Sequence, residues 1–279
     1  MTIVALWYEP FDDAVWSISD TRISKDSSGN TTLTDGAAKI LPLTIHCRRP
    51  PPGGGFFDQT SYLGTAGFAY AGSTLSAVMS YTVANACCQN LIRPNEGPPP
   101  SIGEIANLVG RIAQKYMREI LDRNNGQEGN FSAFIFGWCP REMNFRAFDV
   151  EPSIAGGSFS VSATEVPVVN RDWVGLLGND TQKVRDAIDQ VRNEKTSHGI
   201  GPTRWPKRAL EQIIASQSIP GVGGSLQIGL ASRAGFQLFA SVRSLEQDRS
   251  QAQRTFLGFN IDSEVGLVGN YMIGINGMT

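Results

Sequence analysis

The sequence predicts an α+β fold in which two antiparallel sheets pack together with helices outside them. Three observations carry this expectation. Strand-like runs come first, two long helical runs follow, then strands, helices and strands again. Helices grouped in this way disfavour a parallel sheet wound through alternating βαβ units. The 279 residues contain no long linker, so residues 1–279 read as a single domain, with a C-terminal extension from about residue 254 to 279.

The elements follow in order. Residues 2–8 are apolar and β-branched, and residues 14–23 continue after a Pro10-Phe11-Asp12-Asp13 turn, which makes a hairpin. Residues 37–45 and 62–71 are the next strands. Between them, RRPPPGGG at residues 48–55 reads as an exposed loop, because proline lacks an amide donor and glycine loses much entropy on ordering. Residues 73–91 form a helix with small and apolar residues all round, which predicts burial on most sides. A second helix opens at Ser101, where Glu104 three residues later completes a capping box, and runs to Leu121. After a polar turn at residues 124–130 come strands at 131–138, 144–150, 158–166 and 173–177. Helices at 180–193 and 207–216 follow, then strands at 225–231, 237–242, 255–261 and 265–275.

Composition narrows the function. The chain is 41% hydrophobic and 18% charged, with a net charge of -2 and no basic stripe, so no nucleic acid partner is expected. No apolar run approaches the roughly 20 residues that span a bilayer, and no targeting segment precedes the fold, which makes the cytoplasm the default location. The four cysteines form no CxxC pair, and His46 and His198 lack ligand spacing; no metal and no cofactor are expected.

Three features combine into a candidate site. Thr2 follows the initiator, and a small second residue is unmasked when Met1 is removed. Its α-amine, with a pKa of about 8, would then serve as base to its own hydroxyl. Asp20-Thr21-Arg22 ends the second strand, and a hairpin returns it to the chain start. Lys39 is an isolated lysine in the apolar run DGAAKILPL, and burying it requires a carboxylate partner unless it faces solvent on an edge. A buried ammonium near Thr2 would lower the pKa of the hydroxyl, with Asp20 holding the ammonium.

These residues, in this order, resemble the proteasome β-subunits and their bacterial relatives, which are N-terminal-nucleophile (Ntn) hydrolases. The family begins with a catalytic threonine, ends its second strand in an Asp-Ser-Arg-type motif, and carries a lysine in a later apolar strand. Leu63-Gly64-Thr65 and Ala71-Gly72-Ser73-Thr74 are similar to the family strand that ends in an Ala-Gly turn and opens the first long helix. The resemblance implies a four-layer αββα sandwich, the Ntn-hydrolase fold. It also implies catalytic roles for Thr2, Asp20 and Lys39, an oxyanion-binding N–H at Gly72, and a bracing role for Arg22. The implied activity is a threonine-type peptidase acting on peptide or unfolded-protein substrate inside a homo-oligomeric ring, with an unfoldase or accessory partner left unnamed. A late Asp-x-x-Ser-Gly-Gly-like element aligns with Ile219-Pro220-Gly221-Val222-Gly223-Gly224 through its glycines only. Ser218 or Ser225 would replace its serine, and Ser132 or Ser158 is the counterpart of the family's supporting serine. Two other readings use the same constellation: a non-catalytic scaffold subunit of this fold, and an Ntn amidase acting on a small molecule.

Overall fold

A computed structural model describes residues 2–25, 31–93, 95, 97–123, 129–194, 204–245 and 248–278. Met1 and His198, and most of the turn expected at residues 124–130, lie outside the described residues.

The chain opens with a hairpin of β1 (Ile3–Glu9) and β2 (Ala14–Asp20). Both strands are buried on their two faces, which explains their unbroken apolar reading. Ile3, Ala5 and Trp7 face one core, while Val4 and Leu6 face another. Trp7 opposes Trp16 across the hairpin, with ring centroids 5.7 Å apart. A small ribbon, β3 (Ile23–Ser24) with β4 (Thr32–Thr34), precedes β5 (Ile40–Arg49) and β6 (Gln59–Gly72). Next come α1 (Thr74–Cys88), β7 (Leu91–Ile92) and α2 (Ile102–Arg123). The capping box forms as the sequence requires: Ser101 N donates to Glu104 Oε2 at 2.8 Å and Glu104 N to Ser101 Oγ at 3.2 Å. Strands β8 (Phe131–Cys139), β9 (Asn144–Ala155), β10 (Ser158–Val166) and β11 (Gly175–Gly178) follow, then α3 (Thr181–Asn193) and α4 (Trp205–Ser216). The rest is β12 (Leu226–Ser232), β13 (Gly235–Leu245), β14 (Asp248–Phe256), β15 (Phe259–Asn260), β16 (Leu267–Val268), β17 (Tyr271–Met272) and β18 (Gly277–Met278).

One sheet runs β11-β1-β2-β12-β13-β14-β15, with β18 added to β13, and the other runs β10-β9-β8-β6-β5-β7. Helices α1 and α2 share a core with the second sheet around Phe68, Tyr70, Val109 and Met117. Helices α3 and α4 share another with the first sheet around Ile3, Trp16, Ile188 and Leu210. Between the sheets, Val4, Leu6, Ile40, Phe134, Phe136 and Phe236 interlock. Each such side chain contributes roughly 1.5–3 kcal/mol relative to exposure.

The expected four-layer αββα sandwich of two antiparallel sheets is corrected. Strand outweighs helix, 43% against 27%, and the strands belong to several sheets, one of them a half-barrel. Two further two-stranded ribbons, β3-β4 and β16-β17, stand outside the two large sheets. Both large sheets also include a short parallel strand, β7 on β5 and β18 on β13. The physical cause lies in the last third of the chain. After α4 the only helix among the described residues is the five-residue turn Ile261–Val265, so this glycine-rich segment adds strands without adding a helical layer of its own. The strand expected at 265–275 is only the short β16-β17 ribbon, and the one expected at 37–45 begins at Ile40 and runs into the expected 48–55 loop.

Candidate active site

The buried end of β2 organises the site. Asp20 is fully buried, and four donors converge on its two carboxylate oxygens. Oδ1 accepts from Ile3 N at 3.1 Å and from Lys39 Nζ at 2.9 Å. Oδ2 accepts from Arg22 N and from Gly223 N, each at 3.2 Å. These four bonds fill the acceptor capacity of a carboxylate and fix its orientation. The chain start is therefore tied to the same oxygen atom as the lysine.

Lys39 is also fully buried. Its ammonium donates to Asp20 and, at 2.5 Å, to the Arg22 carbonyl. Burial pushes its pKa below the ordinary lysine value, against the opposing pull of Asp20. Its backbone is held from the other sheet: Gln227 on β12, 1% exposed, accepts from Lys39 N at 2.9 Å and Ile40 N at 3.1 Å, and donates to the Ala37 carbonyl. This side-chain clamp replaces a strand ladder over residues 37–39, which is why β5 starts late.

Thr2 is 6% exposed and immediately precedes β1. Besides the Ile3 N–H bond to Asp20, the Ile3 carbonyl accepts from Ser19 Oγ at 2.8 Å. Gly178, opposite Ile3 on β11, has φ +112°, and a Cβ there would overlap the Thr2 carbonyl oxygen. Glycine is thus required for β11 to reach the chain start.

Arg22 pairs with Asp35 through two bonds, Nε to Oδ1 at 2.6 Å and a terminal nitrogen to Oδ2 at 3.2 Å. Thr21 donates its hydroxyl to the Asp35 carbonyl and accepts from Ser225 N at 2.7 Å. A Cβ at Gly223 would overlap the Arg22 guanidinium, and one at Gly224, with φ +75°, would overlap Thr21 Oγ1. The Gly221–Gly224 stretch therefore packs directly on Asp20-Thr21-Arg22. The C-terminal extension reaches the same loop: a Cβ at Gly258 would overlap Gly36 and stand 2.9 Å from the Asp35 carbonyl.

Gly72 ends β6 with φ +111°, where a Cβ would come within 2.7 Å of the Asn130 carbonyl oxygen. Ser73 then caps α1, its side chain accepting from Ser76 N. Tyr70, two residues earlier, donates its N–H to the Lys39 carbonyl at 3.0 Å, which leaves Gly72 about 7 Å of strand beyond that contact. The structure thus joins Asp20, Lys39 and Arg22 in one bonded network, to which the backbone N–H of Ile3, the residue after Thr2, also donates, with Gly72 at the end of the adjoining strand. Of the four candidate serines, Ser218 bonds with Ser216 beyond α4, and Ser158 lies on the outer strand β10. Ser132 opposes Ala71, and Ser225 contributes only its backbone N–H to Thr21.

A solved structure shares this architecture. The chain is similar to Anbu (ancestral beta-subunit) from Yersinia bercovieri, with a TM-score of 0.52 and 16% sequence identity, over 85% of this chain and 87% of that one. No protein-family model matches the sequence, and no curated protein matches it. The likeness shows a proteasome-like fold and nothing finer. The expected identification as a proteasome β-subunit-like Ntn hydrolase of the bacterial type is corrected accordingly: at 16% identity the likeness reaches the fold alone, and no family match accompanies it.

Sequence reasoning missed Asp35, Gln227 and Gly178. Asp35 and Gln227 are ordinary polar residues in sequence, and Gly178 is one glycine among 30. The one local signal was Gln227 inside an otherwise apolar strand, since a buried amide needs partners. Among the described residues no group of His, Cys, Asp and Glu could hold a metal ion, and no helix is long and apolar enough to cross a membrane.

Proposed function

We propose that the chain is a threonine-type hydrolase with an N-terminal nucleophile, which cleaves peptide bonds within a ring-shaped homo-oligomer. The observation that carries this reading is the shared Asp20 oxygen, which binds both the Lys39 ammonium and the backbone N–H that follows Thr2. Once Met1 is removed, the Thr2 hydroxyl attacks the substrate carbonyl and the Thr2 amine accepts its proton. The Lys39 ammonium stabilises the developing alkoxide, and Asp20 holds that ammonium in place. The Gly72 N–H, at the start of α1, stabilises the tetrahedral oxyanion. An ester to Thr2 forms as the amine product leaves. Water then releases the acid product and restores the hydroxyl. Arg22 acts through Asp35 and Gly223, which brace the loop that carries Asp20. Residues 254–279 act as an extension of the same domain and support that brace through Gly258.

Hydrolysis of a set of fluorogenic peptides tests the proposal. Thr2→Ser should retain activity and Thr2→Ala should fall to background, with both variants folded by circular dichroism. Equal turnover by Thr2→Ala and the parent protein would place the chemistry elsewhere.

A further inference from the structure

A small cavity lies where β1 meets α3 and α4 and has no part in the chemistry above. It measures about 60 Å³ and opens to solvent between β1, the segment before β11, and helices α3 and α4. Trp7, at its wall, is five residues from Thr2, about 17 Å along the strand, and faces α3 and α4 rather than the other sheet. A water occupies roughly 10–15 Å³ on this scale, so the cavity has room for a group of several heavy atoms.

Its walls are rich in donors. Arg185 and Arg192 project from one face of α3 at helical spacing, and Arg171 approaches from the loop before β11. Arg192 is held in place, stacked 5.0 Å above the Trp205 ring and paired with Asp172 at 3.2 Å. Arg185 makes only a 3.5 Å contact to the Val174 carbonyl, so most of its donors have no acceptor among the described residues. The Trp7 indole is 3% exposed, and its Nε1–H is buried with no hydrogen-bond partner. A guanidinium can only donate, and those of Arg171, Arg185 and Arg192 are exposed at the cavity mouth, where an incoming acceptor can reach them. Two carboxylates, Asp172 and Asp189, line the cavity against three guanidiniums, so the lining carries one net positive charge. Two indoles, Ile188 and Pro206 supply apolar wall beside these donors.

We propose that this cavity binds a small oxyanion, a carboxylate or phosphate group, through Arg185 and Arg171, with the Trp7 and Trp205 rings as its apolar wall. A planar guanidinium fork matches the paired oxygens of either group. A carboxylate would come from a small acid or a peptide C-terminus, and a phosphate from the free ion or a phosphorylated metabolite. The site does not depend on the reaction proposed for Thr2.

The test uses the full chain and two readouts: the melting temperature and tryptophan emission, which Trp7 and Trp205 report. The probes are inorganic phosphate and N-acetyl-leucine, with N-acetyl-leucinamide as the uncharged control. At saturation, phosphate or N-acetyl-leucine should raise Tm by about 2–4 °C and shift the emission, and the amide should do neither. A response to phosphate alone assigns the phosphate source, and a response to N-acetyl-leucine alone assigns the carboxylate source. Arg185→Gln and Arg171→Gln, on separate elements, should each abolish the response while leaving the unliganded Tm near that of the parent. No response to either anion would overturn the proposal. So would a response that survives both substitutions, or one that the amide reproduces.

Discussion

Replacing Lys39 by methionine removes one partner of a fully buried ion pair while keeping similar length. The structure sets the scale of the loss. Asp20 would lose the 2.9 Å bond to Nζ and the compensating charge, but would keep three backbone donors, Ile3 N, Arg22 N and Gly223 N. Breaking a buried pair costs about 3–5 kcal/mol. The three remaining donors hold Lys39→Met to the low end, about 3 kcal/mol. For a chain of this size that corresponds to a fall in Tm of about 6–12 °C. Asp20→Asn/Lys39→Met removes both charges, and its loss should be smaller than the sum of the two single losses by about 1–3 kcal/mol. The sign of the pH dependence follows from the lowered lysine pKa. The unfolded chain binds the proton more readily than the folded one, so this group's contribution to stability improves as pH rises towards the ordinary lysine value. Asp20→Asn, lacking the attraction that opposes the shift, should show a larger total gain as pH rises towards the ordinary lysine value. Thermal and urea unfolding followed by circular dichroism measure all four proteins. A Lys39→Met protein that melts within 1 °C of the parent, or single losses that simply add, would refute the buried pair.

Other expectations follow from single positions. Gly178→Ala places a Cβ on the Thr2 carbonyl at a φ of +112°. The backbone strain is of order 1–3 kcal/mol, and a shift of about 1 Å at Thr2 should lower peptide hydrolysis by about 100-fold; near-parental turnover would show that the chain start is not held against β11. Asp149 has its carboxyl pKa pushed up to about 6, mainly by burial and also by Glu151, and its Oδ1 lacks a partner among the described residues. The folded state therefore binds its proton more tightly than the unfolded chain, and the group's contribution is lost as pH rises through about 6. Asp149→Asn should raise Tm at pH 7.5 and leave it nearly unchanged at pH 4.5; a rise at pH 4.5 alone would contradict this. Gln227→Leu removes three hydrogen bonds that hold residues 37–40 and should destabilise the protein measurably while lowering turnover; a stability loss with full turnover would mean that Lys39 is positioned without it.

The candidate site was legible because it rests on local oddities. A lysine in an apolar run either faces solvent on an edge or takes a carboxylate partner, and a hairpin returns Asp20 to the chain start whatever the rest of the fold does. The network at Asp20 has this form. Gln227 and Gly178 were not legible, because their roles depend on contacts formed far along the chain: Gln227 reaches Lys39 across 188 residues. Most single elements were legible through β13, where apolar periodicity marks strands and helices and a capping box opens α2, although the layer architecture was not. The elements beyond β13 were not legible. There the glycine-rich segment becomes strands that add to one sheet or stand apart as a ribbon, and no periodic signal distinguishes these outcomes. The glycines at 221–224 were legible as a motif, and their reason is steric, since any side chain at Gly223 or Gly224 would displace Arg22 or Thr21.

The account depends on a free, reactive Thr2 beside Lys39 and Asp20. The most direct measurement is treatment of the purified protein with a peptide epoxyketone, followed by intact mass and peptide mapping, because this reagent needs the amine and hydroxyl of one residue together. The account predicts a chain lacking Met1, with a single morpholine adduct on Thr2 that Lys39→Met greatly slows. A chain lacking Met1 that forms no adduct, or a mature chain that retains Met1, would contradict it.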